Sequence, residues 1–234
     1  MPESPVEIGF VLFPDLTMLD FVGPWEILSR LERARCHVVA AERAPVVGGG
    51  LAVQPTATFA DCPSLDILCV PGGPGHLRAM ENDALLAFLR HQAQHCRFTT
   101  SVCTGSLVLA AAGLLEGYRA TTHWLSLDRL SRFGAIPVKD RVVIDRDRIT
   151  GGGVTAGIDF GLTLAALLDG ETVARRIQLQ VEYRPAPPFG DGHPDSAAPA
   201  LVEAIRRGTS GYTARMAEVD ARVLARLEQG DDPR

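Results

Sequence analysis

Apolar and polar positions along this chain alternate between two rhythms. Val6 to Phe13 (VEIGFVLF), Cys36 to Ala41 (CHVVAA), Asp66 to Val70 (DILCV) and Arg97 to Val102 are short, mostly apolar, β-branched runs bounded by breakers. Such runs read as buried strands. Between them lie stretches with helical spacing. In LDFVGPWEILSRL the apolar residues fall at 21, 25, 28 and 31, with Pro24 expected near the first turn. Residues 78–95 repeat the helical spacing, and an apolar helix is expected directly after Cys103. Residues 48–62 (GGGLAVQPTATFADC) read as turn-rich connection.

Further on, RVVID (141–145) and RDRIT (146–150) flank an expected turn at Arg146 and Asp147, and helices are expected over 154–168 and 171–180. Strands that alternate with helices, several of them apolar throughout, predict an α/β fold. Its sheet should be mostly parallel and covered by helices on both faces. Residues 184–199 (RPAPPFGDGHPDSAAP) hold too much Pro, Gly and Asp for a regular element. Two helical segments, 197–208 and 211–229, close the chain. The expected division is an α/β domain over 1–196 and a helical extension of it over 197–234.

Composition narrows the function classes. The chain has 234 residues, 46% hydrophobic and 22% charged, enough to fill a sizeable core. A net charge of −5 without a Lys/Arg cluster gives no footprint for nucleic acid or for an anionic membrane. No apolar run has the length needed to span a bilayer, and MPESPVEIGFVLFPD lacks the basic start of a signal peptide. The five cysteines, at 36, 62, 69, 96 and 103, are odd in number and lack C-x-x-C spacing. That pattern argues against a zinc site or a disulfide framework, and for a reducing, cytoplasmic setting.

Candidate chemistry centres on Cys103 in SVCTGS, where a strand gives way to a helix. Ligands of open α/β sheets bind outside the carboxyl ends of the strands. A helix N-terminus behind the sulfur is expected to lower the thiol pKa. Ser101 and Gly105, two before and two after, allow a sharp turn analogous to a nucleophile elbow. A free cysteine is more often a small apolar filler; the turn and its small flanks favour the nucleophile. The other four lie in strands or loops and read as filler. Pro71-Gly72-Gly73-Pro74-Gly75, at another strand's carboxyl end, reads as an ordinary turn or as an anion-holding loop beside Cys103. Asp20 reads from spacing alone as a helix cap, with Asp15 competing from a Pro-Asp turn. His123 in TTHW is either a structural residue or a general base beside the thiol. Gly151 to Ala156 match a dinucleotide G-x-G-x-x-A, but too late in the chain for a first βαβ unit.

Together these motifs resemble the ThiJ/PfpI superfamily, whose fold is the flavodoxin-like one of class I glutamine amidotransferases. The matching stretches are LFPDLTMLDFVGPWEIL, CVPGGPGHL, SVCTGSLVLAAAGLLEGYRATTHW, TGGGVTAGIDFGLTLAALLDG and QVEYRPAPPF. They cover residues 6 to about 195. Through LDFVGP and GGGVTAGIDF with EYRPAPPF, the chain is most similar to the members that hydrate isocyanides. That resemblance implies a homodimer turning an isocyanide, R–N≡C, into an N-substituted formamide without cofactor or metal. It implies Cys103 as nucleophile, Asp20 as the acid and base, and Thr104 as a residue shaping the site. Backbone N–H groups of Gly73 and Thr104 are expected to stabilise developing charge. A carboxyl group beside a thiolate is expected to have a raised pKa through like-charge repulsion. Glyoxalase or deglycase activity is the alternative within enzymes, although many such members place a glutamate near the position of Asp20. A regulatory domain of the AraC type, and a redox-sensing or chaperone-like role, are alternatives outside catalysis. The tail after 197 is too short for the two helix-turn-helix units of such regulators.

Overall fold

The structure, a computed structural model, describes residues 4–229. The ends of the expected division, 1–3 and 230–234, lie outside the described residues. The strands are β1 (Val6–Val11), β2 (Ala34–Ala40), β3 (Val46–Gly48), β4 (Leu51–Val53), β5 (Ala57–Thr58), β6 (Ile67–Val70), β7 (Phe98–Val102), β8 (Arg119–Ala120), β9 (Ile136–Pro137), β10 (Val142–Asp145) and β11 (Arg148–Gly151). The α-helices are α1 (Met18–Leu28), α2 (His76–Ala79), α3 (Asp83–Ala93), α4 (Gly105–Ala111), α5 (Ala156–Asp169), α6 (Glu171–Gln180), α7 (Pro199–Gly208) and α8 (Ser210–Glu228). A 3-10 helix spans Trp124–Phe133.

Seven strands form one sheet in the order β10-β11-β7-β6-β1-β2-β5. Every neighbouring pair is parallel except the β10–β11 hairpin. Parallel pairing aligns the carboxyl ends of β1, β6, β7 and β11, so the loops that follow them gather at one edge. This is the mostly parallel α/β sheet expected from the apolar runs.

The helices pack according to their patterns. α4 is apolar but for Ser106 in its first turn, and all of its residues are buried. α1 is pinned to β1 by a cluster in which Phe10 meets Phe21 at 5.7 Å and Trp25 at 5.2 Å between ring centroids. α5 lies against α1 at glycines: a Cβ on Gly157 would sit 3.0 Å from Pro24 Cδ, and one on Gly161 would sit 3.0 Å from Ile27 Cβ. The Gly-rich GGGVTAGIDFG stretch therefore serves close helix packing. α8 turns Met216, Val219 and Val223 into buried positions. Burying side chains of this size stabilises by about 1.5–3 kcal/mol each. Among the described residues, no helix is long and apolar enough to cross a membrane.

Several elements depart from the expected ones. Pro24 sits inside α1 rather than near its first turn, with its ring used as a packing surface for α5. The expected helix over 78–95 is two, α2 and α3, because Asn82 caps α3 by accepting from Leu85 N–H at 3.0 Å. The β3–β4 hairpin and the edge strand β5 occupy a region that reads as connection. The hairpin expected at 141–150 and the helix over 171–180 are present.

Candidate active site

Cys103 stands where the β7 ladder ends. Its N–H still donates to Gly151 O of β11 at 3.0 Å, and its φ of +56° then swings the chain into α4. A non-glycine residue at positive φ costs about 1–3 kcal/mol and persists only where its surroundings enforce it. Here two hydroxyls hold its carbonyl, Thr122 Oγ1 donating at 2.9 Å and Ser106 Oγ at 3.1 Å. The sharp elbow expected from small flanking residues is therefore present, and its cause is steric. A Cβ on Gly105 would lie 2.2 Å from Val70 O and 2.7 Å from Pro71 O. Both obstacles are backbone carbonyls of the adjacent strand end. Gly105→Ala is expected to destabilise the protein by about 1–3 kcal/mol. That loss outweighs alanine's advantage of ~1 kcal/mol in a helix. A lower urea midpoint would register it; a variant as stable as the wild type would refute this close approach.

The β6 loop faces the elbow from the other side. Gly73 adopts a φ of +122°, open to glycine and strained for other residues. Gly72 N–H donates to Asp20 Oδ2 at 3.0 Å, and Gly73 N–H donates to Thr104 Oγ1 at 3.0 Å. This corrects one expectation: the Gly73 amide is committed to Thr104 and is not free to hold charge developing on a substrate. The amide next to the sulfur is that of Thr104, whose N–H and hydroxyl both act on the thiol.

Asp20 does not cap α1; Thr17 stands at the cap position. The Asp20 carboxyl is only 1% exposed and borders Phe10, Phe21, Pro24 and Phe160 in a space too tight for water. Its Oδ1 has no partner of regular hydrogen-bond geometry, while the Cys103 thiol interacts with the carboxyl. Burial raises its pKa to about 7, against the opposing pull of the Gly72 amide and the thiol. The direction is the expected one, but its cause is desolvation rather than like-charge repulsion.

For Cys103 the expected direction is reversed. Burial pushes the thiol well above its ordinary pKa, the Asp20 charge adds to this, and the Thr104 N–H opposes it. The helix N-terminus contributes less than desolvation takes away. At neutral pH the proton therefore rests on sulfur, beside a carboxyl poised to receive it.

His123 stands at the start of the 3-10 helix, its Nδ1 accepting from Leu125 N–H at 3.4 Å and its ring 6.0 Å from Trp124. Burial lowers its pKa. It is Thr122, its neighbour, that reaches Cys103. Asp15 makes an exposed ion pair with Arg78. Among the described residues, no group of three or more His, Cys, Asp or Glu could hold a metal ion. Sequence reasoning missed Gly72 as the donor to Asp20 and Thr122 as the support for the elbow. The PGGPG loop was the available signal for the former; nothing local marked the latter.

Comparison with known proteins places this geometry among relatives. Residues 6–167 match the DJ-1/PfpI family. The isonitrile hydratase of Pseudomonas putida is 51% identical over 223 residues, covering 95% of this chain and 98% of that protein. The transcriptional regulator GbdR of Pseudomonas aeruginosa is 33% identical over 190 residues, covering 77% of this chain and 52% of the regulator. A solved ThiJ/PfpI family protein from Pseudomonas syringae superposes with a TM-score of 0.90 at 43% identity, over 93% of this chain and 91% of that one.

Proposed function

This chain belongs to the DJ-1/PfpI family, and on that premise we propose that it is an isocyanide hydratase, with Cys103 as nucleophile and Asp20 as the group that moves protons. The observation that carries the reading is the meeting of two buried groups, the Cys103 thiol on its strained elbow and the Asp20 carboxyl that burial pushes up to about 7. The near full-length similarity to an isonitrile hydratase supports the substrate class.

An isocyanide carbon is divalent and open to a soft nucleophile. The Asp20 carboxylate takes the thiol proton as sulfur bonds to that carbon. The same proton then passes to the carbon, giving a thioimidate, R–N=CH–S–Cys103, and restoring the carboxylate. Water adds to the thioimidate carbon as Asp20 draws one of its protons and passes it to nitrogen, leaving the hydroxyl proton to go to sulfur. The carbon–sulfur bond breaks as C=O forms, sulfur recovers its proton, and R–NH–CHO leaves. The sum is one isocyanide plus one water to one formamide, balanced with no other reactant. The Thr104 N–H, which favours the charged form of the thiol, stabilises the charge that grows there during attack.

A homodimer is part of the same proposal. Its support is the apolar surface of α1 (Leu19, Val22) and of the neighbouring β3–β4 hairpin (Val47, Leu51). A cytoplasmic location is proposed on the five free cysteines. Residues 197–229 are taken as part of the same folding unit, since α8 seats its apolar face on the core.

Incubation with an aryl isocyanide should release the matching formamide. Because attack needs ionised Asp20, kcat/KM should rise with pH through about 7. Turnover of methylglyoxal with none of several isocyanides would replace this reading by the glyoxalase one.

A further inference from the structure

Beneath the β6 loop lies a buried polar chain that the reaction above does not use. His76, with 0% exposure, begins α2 directly after the PGGPG loop. Arg129 Nη1 lies 2.9 Å from His76 Nε2. A guanidinium can only donate, so Nε2 is the accepting nitrogen and the imidazole proton is on Nδ1. Nδ1 is 2.9 Å from Gly73 O; the bond therefore runs from His76 to the Gly73 carbonyl. Burial and the Arg129 charge hold the ring's pKa down to about 3, which keeps it neutral and keeps this tautomer. Tyr212 Oη, 3.3 Å from the same nitrogen, takes a weaker share of that proton.

Arg129 is itself fixed by α8. Asp220, with 0% exposure, accepts from Arg129 Nε at 3.0 Å and Nη2 at 2.6 Å, and from Arg132 Nη1 at 3.2 Å. The forked geometry sets the plane of the guanidinium as well as its place. On the far side of Gly73 the chain continues to the reacting groups: the Gly73 amide holds Thr104, and the Gly72 amide holds Asp20. Two consecutive glycines are free to rotate their peptide planes. Thr17 N–H holds the Gly72 carbonyl at 2.9 Å, and the backbone N–H of His76 holds the Gly73 carbonyl at 3.0 Å. The His76 ring adds the restraint on that second carbonyl that comes from α8.

We propose that Asp220, Arg129 and His76 are positioning residues for the Cys103–Asp20 pair, forming a relay from α8 that fixes the Gly73–Pro74 peptide through the Gly73 carbonyl and so limits how far the two preceding glycine amides can turn. The inference rests on the proposed role of that pair. A helix at the end of the chain thereby becomes a support of the active site, although it brings no group to the sulfur.

The test compares His76→Leu, His76→Asn and Arg129→Lys with the wild type by the pH dependence of kcat/KM for an isocyanide. Leucine removes the ring donor to the Gly73 carbonyl and leaves only the backbone N–H of residue 76, at 3.0 Å, and the longer Thr104 contact on it. Asparagine keeps an N–H near the position of Nδ1. Lysine keeps the charge facing Asp220 but loses the fork that spans to His76. His76→Leu should lose about 10-fold to 100-fold in kcat/KM, the scale of a displaced catalytic group. With the Gly72 amide no longer aimed, Asp20 loses a contact that favours its ionised form, so the rise near pH 7 should move up by about half a pH unit or more. Arg129→Lys should shift it the same way, and His76→Asn should restore most of the rate and the limb. A merely structural role would lower stability and leave the limb in place. An unmoved limb in both His76→Leu and Arg129→Lys, or an asparagine variant as impaired as leucine, overturns the relay. The same limb is also read from iodoacetamide alkylation of Cys103, located by peptide mass mapping. If the wild type forms no formamide, the functional reading falls while the alkylation limb still decides the relay.

Discussion

Replacing Cys103 by alanine is expected to abolish formamide formation, a loss of at least about 10⁴-fold in kcat, the scale seen when a covalent nucleophile is removed. The fold should survive. The hydroxyls of Thr122 and Ser106 grip the backbone carbonyl of residue 103, and alanine meets the same strain at a φ of +56° as cysteine does. Serine is expected to fail equally. Its hydroxyl holds its proton far more tightly than a thiol, and a carboxylate with a pKa of about 7 is too weak a base to take it. Initial rates of formamide release, with thermal melting as a folding control, check this. Turnover by the serine variant within about 100-fold of the wild type would show that sulfur is not the attacking atom.

The elbow was legible because its determinants are local. A β-branched run, a cysteine, a small residue on either side and an apolar stretch announce a strand, a turn and a buried helix. Asp20 was not legible in that way. An acid in the first turn of a helix looks like a cap, and the contact that gives it another role comes from Gly72, 52 positions away. Only the resemblance of LDFVGP to a family pattern pointed to it. The electrostatics of the pair misled the sequence reading for a related reason. A helix N-terminus can be inferred from spacing, whereas the burial that outweighs it at Cys103, and that Phe10, Phe21 and Phe160 provide around Asp20, depends on residues brought together by the fold. The Gly73 amide was misassigned because its partner, Thr104, arrives from a different strand end. The relay below the loop joins residues 53 and 91 positions apart, and no periodicity connects them. The β3–β4 hairpin escaped because strands of three residues carry no readable period, and the ten-residue 3-10 helix because its three-residue turn does not follow the α-helical spacing.

The same burial that tunes Asp20 should make the protein less stable where it works best. Asp20 holds its proton to about pH 7 when folded, whereas an unfolded aspartate releases it near 3.9. Between those values the native state binds more protons than the unfolded state, so stability falls as pH rises. The contribution is fully present below the unfolded pKa and is lost as pH climbs through the folded one. A gap of roughly three units corresponds to about 4 kcal/mol. Asp20→Asn keeps the shape and can still accept from the Gly72 amide, but it carries no titrating proton. Its stability should therefore lack this descent. Relative to the wild type, Asp20→Asn should gain about 4 kcal/mol between pH 3.5 and pH 8, whatever the fixed cost of the exchange. It should also lose hydration of the isocyanide, since an amide can neither take the thiol proton nor return it to carbon. Urea unfolding of both proteins across that range measures the difference directly. Parallel curves would mean that Asp20 titrates normally in the folded protein. The proton-moving role would then need another group, because a carboxylate of ordinary pKa is a poor match for a thiol whose pKa burial has raised.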